Sequence, residues 1–228
     1  MKKDTLTLGL ISKGRLFEKS LKYLKKRNLK ILYDKDKRSL SGKIKGMKHV
    51  SINLLHARSV IDLLSQNILS VGISGLDLLE DEIPSKRNKI KVIKRLDFGV
   101  ARIMAIVPQA FCDVNTCADL ESISEELRKN NEFLICSTKY INLAKNFFIK
   151  KNIKNFSITK SLGATELDCV QNRAHMLIDV VESGKTIKSN NLKTLRDSKL
   201  MDTSAVLLAN KQALKNKNVE KIVKLLSK

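Results

Sequence analysis

Short apolar runs of strand period alternate with apolar stripes of helical period almost from end to end, and this alternation restricts the fold more than any other feature. It predicts an α/β protein with largely parallel sheets. Leu6, Leu8 and Leu10 alternate with Thr5, Thr7 and Gly9 as a strand, after which Phe17, Ser20, Leu21 and Leu24 fall on one helical face. Strands at 49–55 and 69–74 with helices at 60–66 and 76–82 complete one α/β half. Strands at 90–96 and 102–107 flank Asp97-Phe98-Gly99, whose aspartate and glycine permit a change of direction. A second series follows, with helices at 122–129 and 142–151 and strands at 133–136 and near Ile158 and Leu177. Leu195 and Val206-Leu207-Leu208 suggest further strands, and Val219, Ile222, Val223 and Leu226 a final helical stripe. The predicted organisation is a discontinuous domain I over 1–98 and 191–228 and a domain II over 99–190, with two chain crossings and a cleft between the domains.

The 228 residues, 43% of them hydrophobic, suffice for one large core or two small ones. No window approaches a membrane span, and Met-Lys-Lys-Asp-Thr at the start runs into an alternating segment unlike a signal peptide, so a cytoplasmic protein is expected. Cys112, Cys117, Cys136 and Cys169 lack the paired spacing of a zinc site, and His49, His56 and His175 show no i, i+4 pairing. Reduced, mostly packed cysteines and no histidine-held metal are expected. The formal charge of +21 invites a nucleic-acid reading. Against it, the lysines are scattered among asparagines without an arginine-rich arm, and aromatic residues that could stack on bases make up only 4% of the chain. A lysine-plus-asparagine excess also follows from a nucleotide bias in coding sequence. A solvated basic surface that draws in small polyanions is the better reading.

The most informative stretch is Asp179-Val180-Val181-Glu182-Ser183-Gly184-Lys185-Thr186, directly after Met176-Leu177-Ile178. The apolar run suits a buried strand. Ser183 and Gly184 suit a tight turn whose backbone N–H groups open a helix and can bind an anion, and Lys185 adds positive charge. A Walker A loop would need glycine at position 179, where a carboxylate would repel the phosphates, so Gly-Lys-Thr is no P-loop. Two carboxylates upstream of an anion-binding turn suit a ligand with a phosphate at one end and sugar hydroxyls beside it, the layout of a 5-phosphoribosyl group. The plain alternative is a strand-to-helix connection capped by Ser183. Three other such connections are Lys13-Gly14-Arg15, Ser74-Gly75-Leu76-Asp77 and Gly163-Ala164-Thr165-Glu166. They place cations, a small residue and a first-turn carboxylate at sheet edges, where ligands of open α/β folds bind. Singly, each also reads as an ordinary turn or helix start.

In order, these segments resemble the ATP phosphoribosyltransferase family, which opens histidine biosynthesis. The resemblance runs through Ser12-Lys13-Gly14-Arg15-Leu16, Val71-Gly72-Ile73-Ser74-Gly75, Leu96-Asp97-Phe98-Gly99, Cys136-Ser137-Thr138-Lys139-Tyr140 with Asn142-Leu143-Ala144, Gly163-Ala164-Thr165-Glu166-Leu167, and Asp179 to Thr186. It implies two α/β domains like a type II periplasmic binding protein. The implied reaction joins ATP to 5-phosphoribosyl 1-pyrophosphate, giving N1-(5-phosphoribosyl)-ATP and pyrophosphate, with Mg²⁺ brought by substrate phosphates. Asp179 and Glu182 are then expected at the ribose hydroxyls and Ser183, Gly184, Lys185 and Thr186 at the 5-phosphate. Lys13, Gly14 and Arg15 would meet the pyrophosphate and ATP phosphates, with Arg58, Ser74, Gly75, Gly163 and Glu166 also on the ATP side. Asp179, Glu182, Lys13 and Arg15 carry the expected catalytic roles.

The resemblance is to the short form, which implies a homodimer assembling with a regulatory subunit like histidyl-tRNA synthetase, and no nucleic-acid or membrane partner. Departures from the family pattern are His56 and Ser59 beside Arg58, Ile61, His175, and Lys185 for arginine. Lysine keeps the charge but loses the bidentate fork, so looser 5-phosphate binding is expected. A non-enzymatic solute- or nucleotide-binding module and an inactive family member stay open as alternatives, because fold does not fix function.

Overall fold

The structure, a computed structural model, describes residues 6–33, 40–161, 163 and 165–228, with Arg15 described by its backbone alone. Of the features the sequence singles out, residues 1–5, Ala164 and the Arg15 side chain lie outside the described residues.

The first half runs β1 (Leu6–Ile11), α1 (Gly14–Lys25), β2 (Ile31–Tyr33), β3 (Ser41–Ile44), β4 (Met47–Leu55), α2 (Ala57–Ser65), β5 (Val71–Gly75), α3 (Leu76–Glu80), α4 (Pro84–Arg87) and β6 (Ile90–Arg95). Next come β7 (Ala101–Pro108), α5 (Cys117–Lys129), β8 (Leu134–Thr138), α6 (Ile141–Lys150), β9 (Phe156–Lys160), α7 (Glu166–Val170), β10 (Met176–Val181), α8 (Lys185–Ser189) and β11 (Leu192–Thr203). The chain closes with β12 (Ala205–Asn210) and α9 (Lys217–Ser227). None of the described helices is long and apolar enough to cross a membrane.

Two compact units result, Met1–Gly99 with Ser204–Lys228, and Val100–Thr203. The chain therefore crosses between units twice. The return lies after Thr203, not after residue 190 as the sequence predicts. The reason is strand pairing: β11 runs antiparallel to β7, with Leu192 opposite Pro108 and Thr203 opposite Ala101, which keeps 192–203 in the second sheet.

Unit 1 is a seven-stranded sheet in the order β2-β3-β4-β1-β5-β12-β6. β1 is parallel to both β4 and β5, so Ile11, Leu55 and Gly75 end at one sheet edge. Leu8, Leu10, Ile52 and Ile73 are buried with Tyr23 and Leu24 of α1 and Ile222 and Leu226 of α9, each large apolar side chain worth about 1.5–3 kcal/mol. Gly9 and Gly72 stand opposite each other in β1 and β5. A Cβ on Gly9 would meet Leu69 Cδ1 at 2.5 Å and one on Gly72 would meet Val60 Cγ1 at 2.7 Å, so their bareness lets α2 and Leu69 lie close on the sheet.

Unit 2 is a five-stranded sheet in the order β11-β7-β10-β8-β9. β8, β9 and β10 are parallel, which brings the ends at Thr138, Lys160 and Val181 to one edge. β7 runs the other way, so Arg102 pairs with Val181 at that same edge. Helix α5 begins at Cys117, earlier than predicted, because Thr116 and Asp119 form a capping box in which each side chain takes the other's backbone N–H.

Asparagines terminate the helices in both units. Asn28, Asn67, Asn131, Asn152, Asn172 and Asn191 follow α1, α2, α5, α6, α7 and α8, each with a positive φ of 53° to 60°. Asparagine tolerates this left-handed conformation and substitutes for glycine at helix C-termini. Part of the asparagine surplus thus has a structural use.

Candidate active site

In unit 2, Asp179 occupies the fourth position of β10, where its side chain is only 9% exposed. A buried carboxylate needs compensation, and Asp179 has it. Its Oδ1 accepts from Lys139 Nζ at 2.9 Å and from the Val180 N–H at 2.7 Å. Lys139 reaches it because β8 and β10 are parallel neighbours with Thr138 beside Ile178. The Thr138 hydroxyl donates to the Ile178 carbonyl at 2.5 Å and accepts from the Tyr140 N–H at 3.0 Å, tying the end of β8 to β10.

Past β10 the burial reverses. Glu182, Ser183, Lys185 and Thr186 are exposed. Gly184 is left-handed at φ 71° and precedes the short α8, which has no side-chain cap at its start. The Gly184 conformation would strain any residue with a Cβ. Glu182, Ser183 and Gly184 line a depression of about 330 Å³ together with Arg102 and Lys188. The sequence-predicted residues Asp179 to Thr186 thus form one continuous strand-end segment. Lys139 and Arg102 join it unpredicted. Lys139 had a signal, its place in the resemblance block at 136–140, but its contact with Asp179 depends on which strands pair.

The loop at Gly163 to Glu166 follows β9 at the same edge. Gly163 is exposed and Glu166 partly buried, while Thr165 Oγ1 is buried without a hydrogen-bond partner among the described residues. Helix α7 is fastened to the sheet by Asp168, which accepts from the Ser137 hydroxyl and pairs with Arg173 at 2.7 Å. Cys136 and Cys169 pack nearby as the sequence predicts. Burial pushes both thiols up, Cys169 to about 12, so neither supplies a thiolate. His175 is structural here, its Nδ1 accepting from the Ile135 N–H at 2.9 Å.

In unit 1, Lys13 and Gly14 are exposed at the start of α1, which carries no side-chain cap and no acidic residue in its first turn. They follow β1 at the edge shared with β4 and β5. Arg58 lies just past β4 on α2, where its guanidinium meets Asp81 at 2.9 Å and Glu82 at 3.3 Å, carboxylates 2% and 8% exposed. Ser74 is fully buried, with its hydroxyl donating to the Ala57 carbonyl at 2.9 Å. Gly75 sits against Asp77, whose Oδ1 occupies the space a Cβ would need. Unit 1 therefore exposes Lys13 and Gly14 but ties Arg58 and Ser74 into its own packing.

Two α/β units joined by two crossings, each with helix starts at the carboxyl edge of parallel strands, define the type II periplasmic-binding-protein fold class. Known proteins narrow this class. The profile of the ATP phosphoribosyltransferase family matches residues 56–228. An ATP phosphoribosyltransferase of Mesorhizobium japonicum is 33% identical over 210 residues, 91% of this chain and 90% of that protein. One from a Bradyrhizobium strain is 33% identical over 209 residues, and there the match spans 91% of this chain but 64% of the relative. The ATP phosphoribosyl transferase (HisG:HisZ) complex from Thermotoga maritima superposes with a TM-score of 0.76 at 20% identity, over 97% of this chain and 96% of that one. A substrate-binding protein of an amino acid transporter does so at 0.54 and 11% identity, covering 98% and 91%. The chain belongs to the ATP phosphoribosyltransferase family.

Proposed function

We propose that the chain catalyses the first step of histidine biosynthesis, joining ATP to 5-phosphoribosyl 1-pyrophosphate, with its unit 2 segment holding the phosphoribosyl group. The observation that carries this reading is the buried, lysine-paired Asp179 followed at once by the exposed turn Glu182 to Thr186. A carboxylate suits sugar hydroxyls, and a turn with backbone N–H groups and a lysine suits the 5-phosphate. Lys13 and the start of α1 suit the pyrophosphate, with Arg15 assigned there from its place in the sequence.

Adenine N1 carries a lone pair and needs no activation. The N1–C1 bond of ribose forms as the C1–oxygen bond to pyrophosphate breaks, leaving both bonding electrons on pyrophosphate. Positive charge develops on the ribose ring and negative charge on the leaving group, so fixed carboxylates at the ring and cations at the pyrophosphate lower the barrier. Arg58 is given no part in this step, since its charge is engaged by Asp81 and Glu82.

Among the described residues no group of three or more His, Cys, Asp or Glu could hold a metal ion. We assign Mg²⁺ to the substrate phosphates, the usual mode for this hard, strongly hydrated ion. When bound, it offsets phosphate repulsion. The solved HisG:HisZ complex supports assembly of this chain with a partner subunit, and the resemblance to the short form extends this to a dimer held in a hetero-oligomer with a regulatory subunit. The test is to mix the chain with ATP, phosphoribosyl pyrophosphate and Mg²⁺, alone and with such a subunit. Formation of N1-(5-phosphoribosyl)-ATP in step with pyrophosphate is expected, and ligand binding without pyrophosphate release in both mixtures would favour a solute-binding module.

A further inference from the structure

We propose that Lys139 is a positioning residue for the sugar, selecting which oxygen of Asp179 meets it. The proposal rests on the phosphoribosyl reading of the 179–186 segment and adds a group which that reading does not contain. Both contacts of the Asp179 carboxylate fall on the same atom, Oδ1: Lys139 Nζ at 2.9 Å and the Val180 N–H at 2.7 Å. A carboxylate held by two donors on one oxygen cannot rotate freely about its terminal bond, and its lone pairs on Oδ2 keep a fixed direction. Oδ2 is then the acceptor for a sugar hydroxyl.

The lysine itself is well placed to act as a fixed point. Its ammonium lies 5.4 Å from the centroid of the Tyr140 ring, a ring only 2% exposed, so a cation–π contact adds to the ion pair. The strand end that carries it is fastened to β10 by Thr138. Its side chain is 41% exposed against 9% for Asp179, so the ammonium stays hydrated while the carboxylate depends on it. The sugar thus meets an acceptor of fixed geometry, with no reorientation required as ring charge develops.

The test separates hydroxyl recognition from phosphate binding. Ribose 5-phosphate and 2-deoxyribose 5-phosphate are titrated, as competitors of phosphoribosyl pyrophosphate, against the wild-type chain, Lys139→Met, Lys139→Gln and Lys139→Arg. The wild type is expected to prefer the ribose compound by about tenfold, the value of one charge-assisted hydrogen bond. Lys139→Met and Lys139→Gln should lower that preference to less than about threefold while leaving the deoxy compound's affinity unchanged, and Lys139→Arg should restore most of it. Loss of affinity for both compounds by the same factor would mean a merely structural role and overturn the proposal, as would an unchanged preference in both neutral variants. Should Lys139→Met fail to fold, Lys139→Gln, closer in length and polar, supplies the same comparison. A wild type that binds neither compound would instead overturn the phosphoribosyl reading itself, so the two failures are distinguishable.

Discussion

The carboxyl edges of the two sheets are built from the same parts, parallel strands followed by helix starts, yet they handle charge in opposite ways. In unit 1 the cation Lys13 is exposed, and the buried carboxylates Asp81 and Glu82 are paired with Arg58. In unit 2 the carboxylate belongs to the candidate site: Asp179 is buried, with the partly exposed Lys139 compensating it. An ion pair near a sheet edge is therefore no guide to function by itself. What separates the two pairs is their place in the chain: Arg58 lies inside helix α2, whereas Asp179 is followed within a few residues by the turn at left-handed Gly184.

This contrast can be tested by removing one charge at a time. The largest effect is expected for Asp179→Asn, where turnover should fall by about a hundredfold or more, the usual loss when one preorganised electrostatic group is removed. Steady-state kinetics with near-normal thermal melting would confirm a role in the site, and full turnover would place Asp179 with the structural pairs.

Arg58→Met should do the reverse. It takes one cationic partner from each of two nearly buried carboxylates, Glu82 keeping Lys86 at 3.4 Å, so stability should drop by up to about 3 kcal/mol, the lower end for breaking a buried pair. Denaturant melts measure this loss. A variant with normal stability and abolished turnover would instead put Arg58 in direct contact with substrate.

Lys185→Ala should weaken phosphoribosyl pyrophosphate binding by roughly ten- to a hundredfold, with a smaller change in kcat, because a charge-assisted hydrogen bond contributes about 1.5–3 kcal/mol. An unchanged Michaelis constant for that substrate would remove Lys185 from the 5-phosphate.

The smallest effect belongs to a purely structural pair in unit 2. Asp197 accepts from Lys151 Nζ at 2.8 Å and from the Cys117 N–H at the start of α5, also at 2.8 Å. The Lys151 hydrogen bond is the main cause holding its carboxyl down at about 2. A depressed carboxylate contributes stability that is full above its unfolded value of about 3.9 and lost as pH falls through the folded one. The side chain is 46% exposed, so solvent screening limits the contribution to about 1 kcal/mol. Asp197→Asn should therefore lower the melting temperature slightly at pH 7, with the difference closing between about pH 4 and pH 2. A gap that persists at pH 2 would assign the effect to packing instead of charge.

The sequence made the α/β class and most elements legible because apolar periodicity is a local property. It missed β2 and β3, short strands joined to β4 through pairings invisible in any single window. It ended the second unit too early, since β11 belongs there only by pairing with β7. The Asp179 to Thr186 segment was legible as a candidate site because its carboxylates, glycine and lysine are contiguous. Lys139 and Arg102 were not assigned to it, because they come from strands far away in the chain.

By itself, then, the amino-acid order determined the period of most elements and a segment with a glycine turn suited to a sugar phosphate, all set by interactions within a few residues. Only the tertiary structure decided that Asp179 is buried with Lys139 as its counter-charge and that Arg58 is spent on Asp81 and Glu82. The physical reason is that burial and charge pairing arise between segments distant in sequence, and a charged side chain's role is set by what surrounds it after folding.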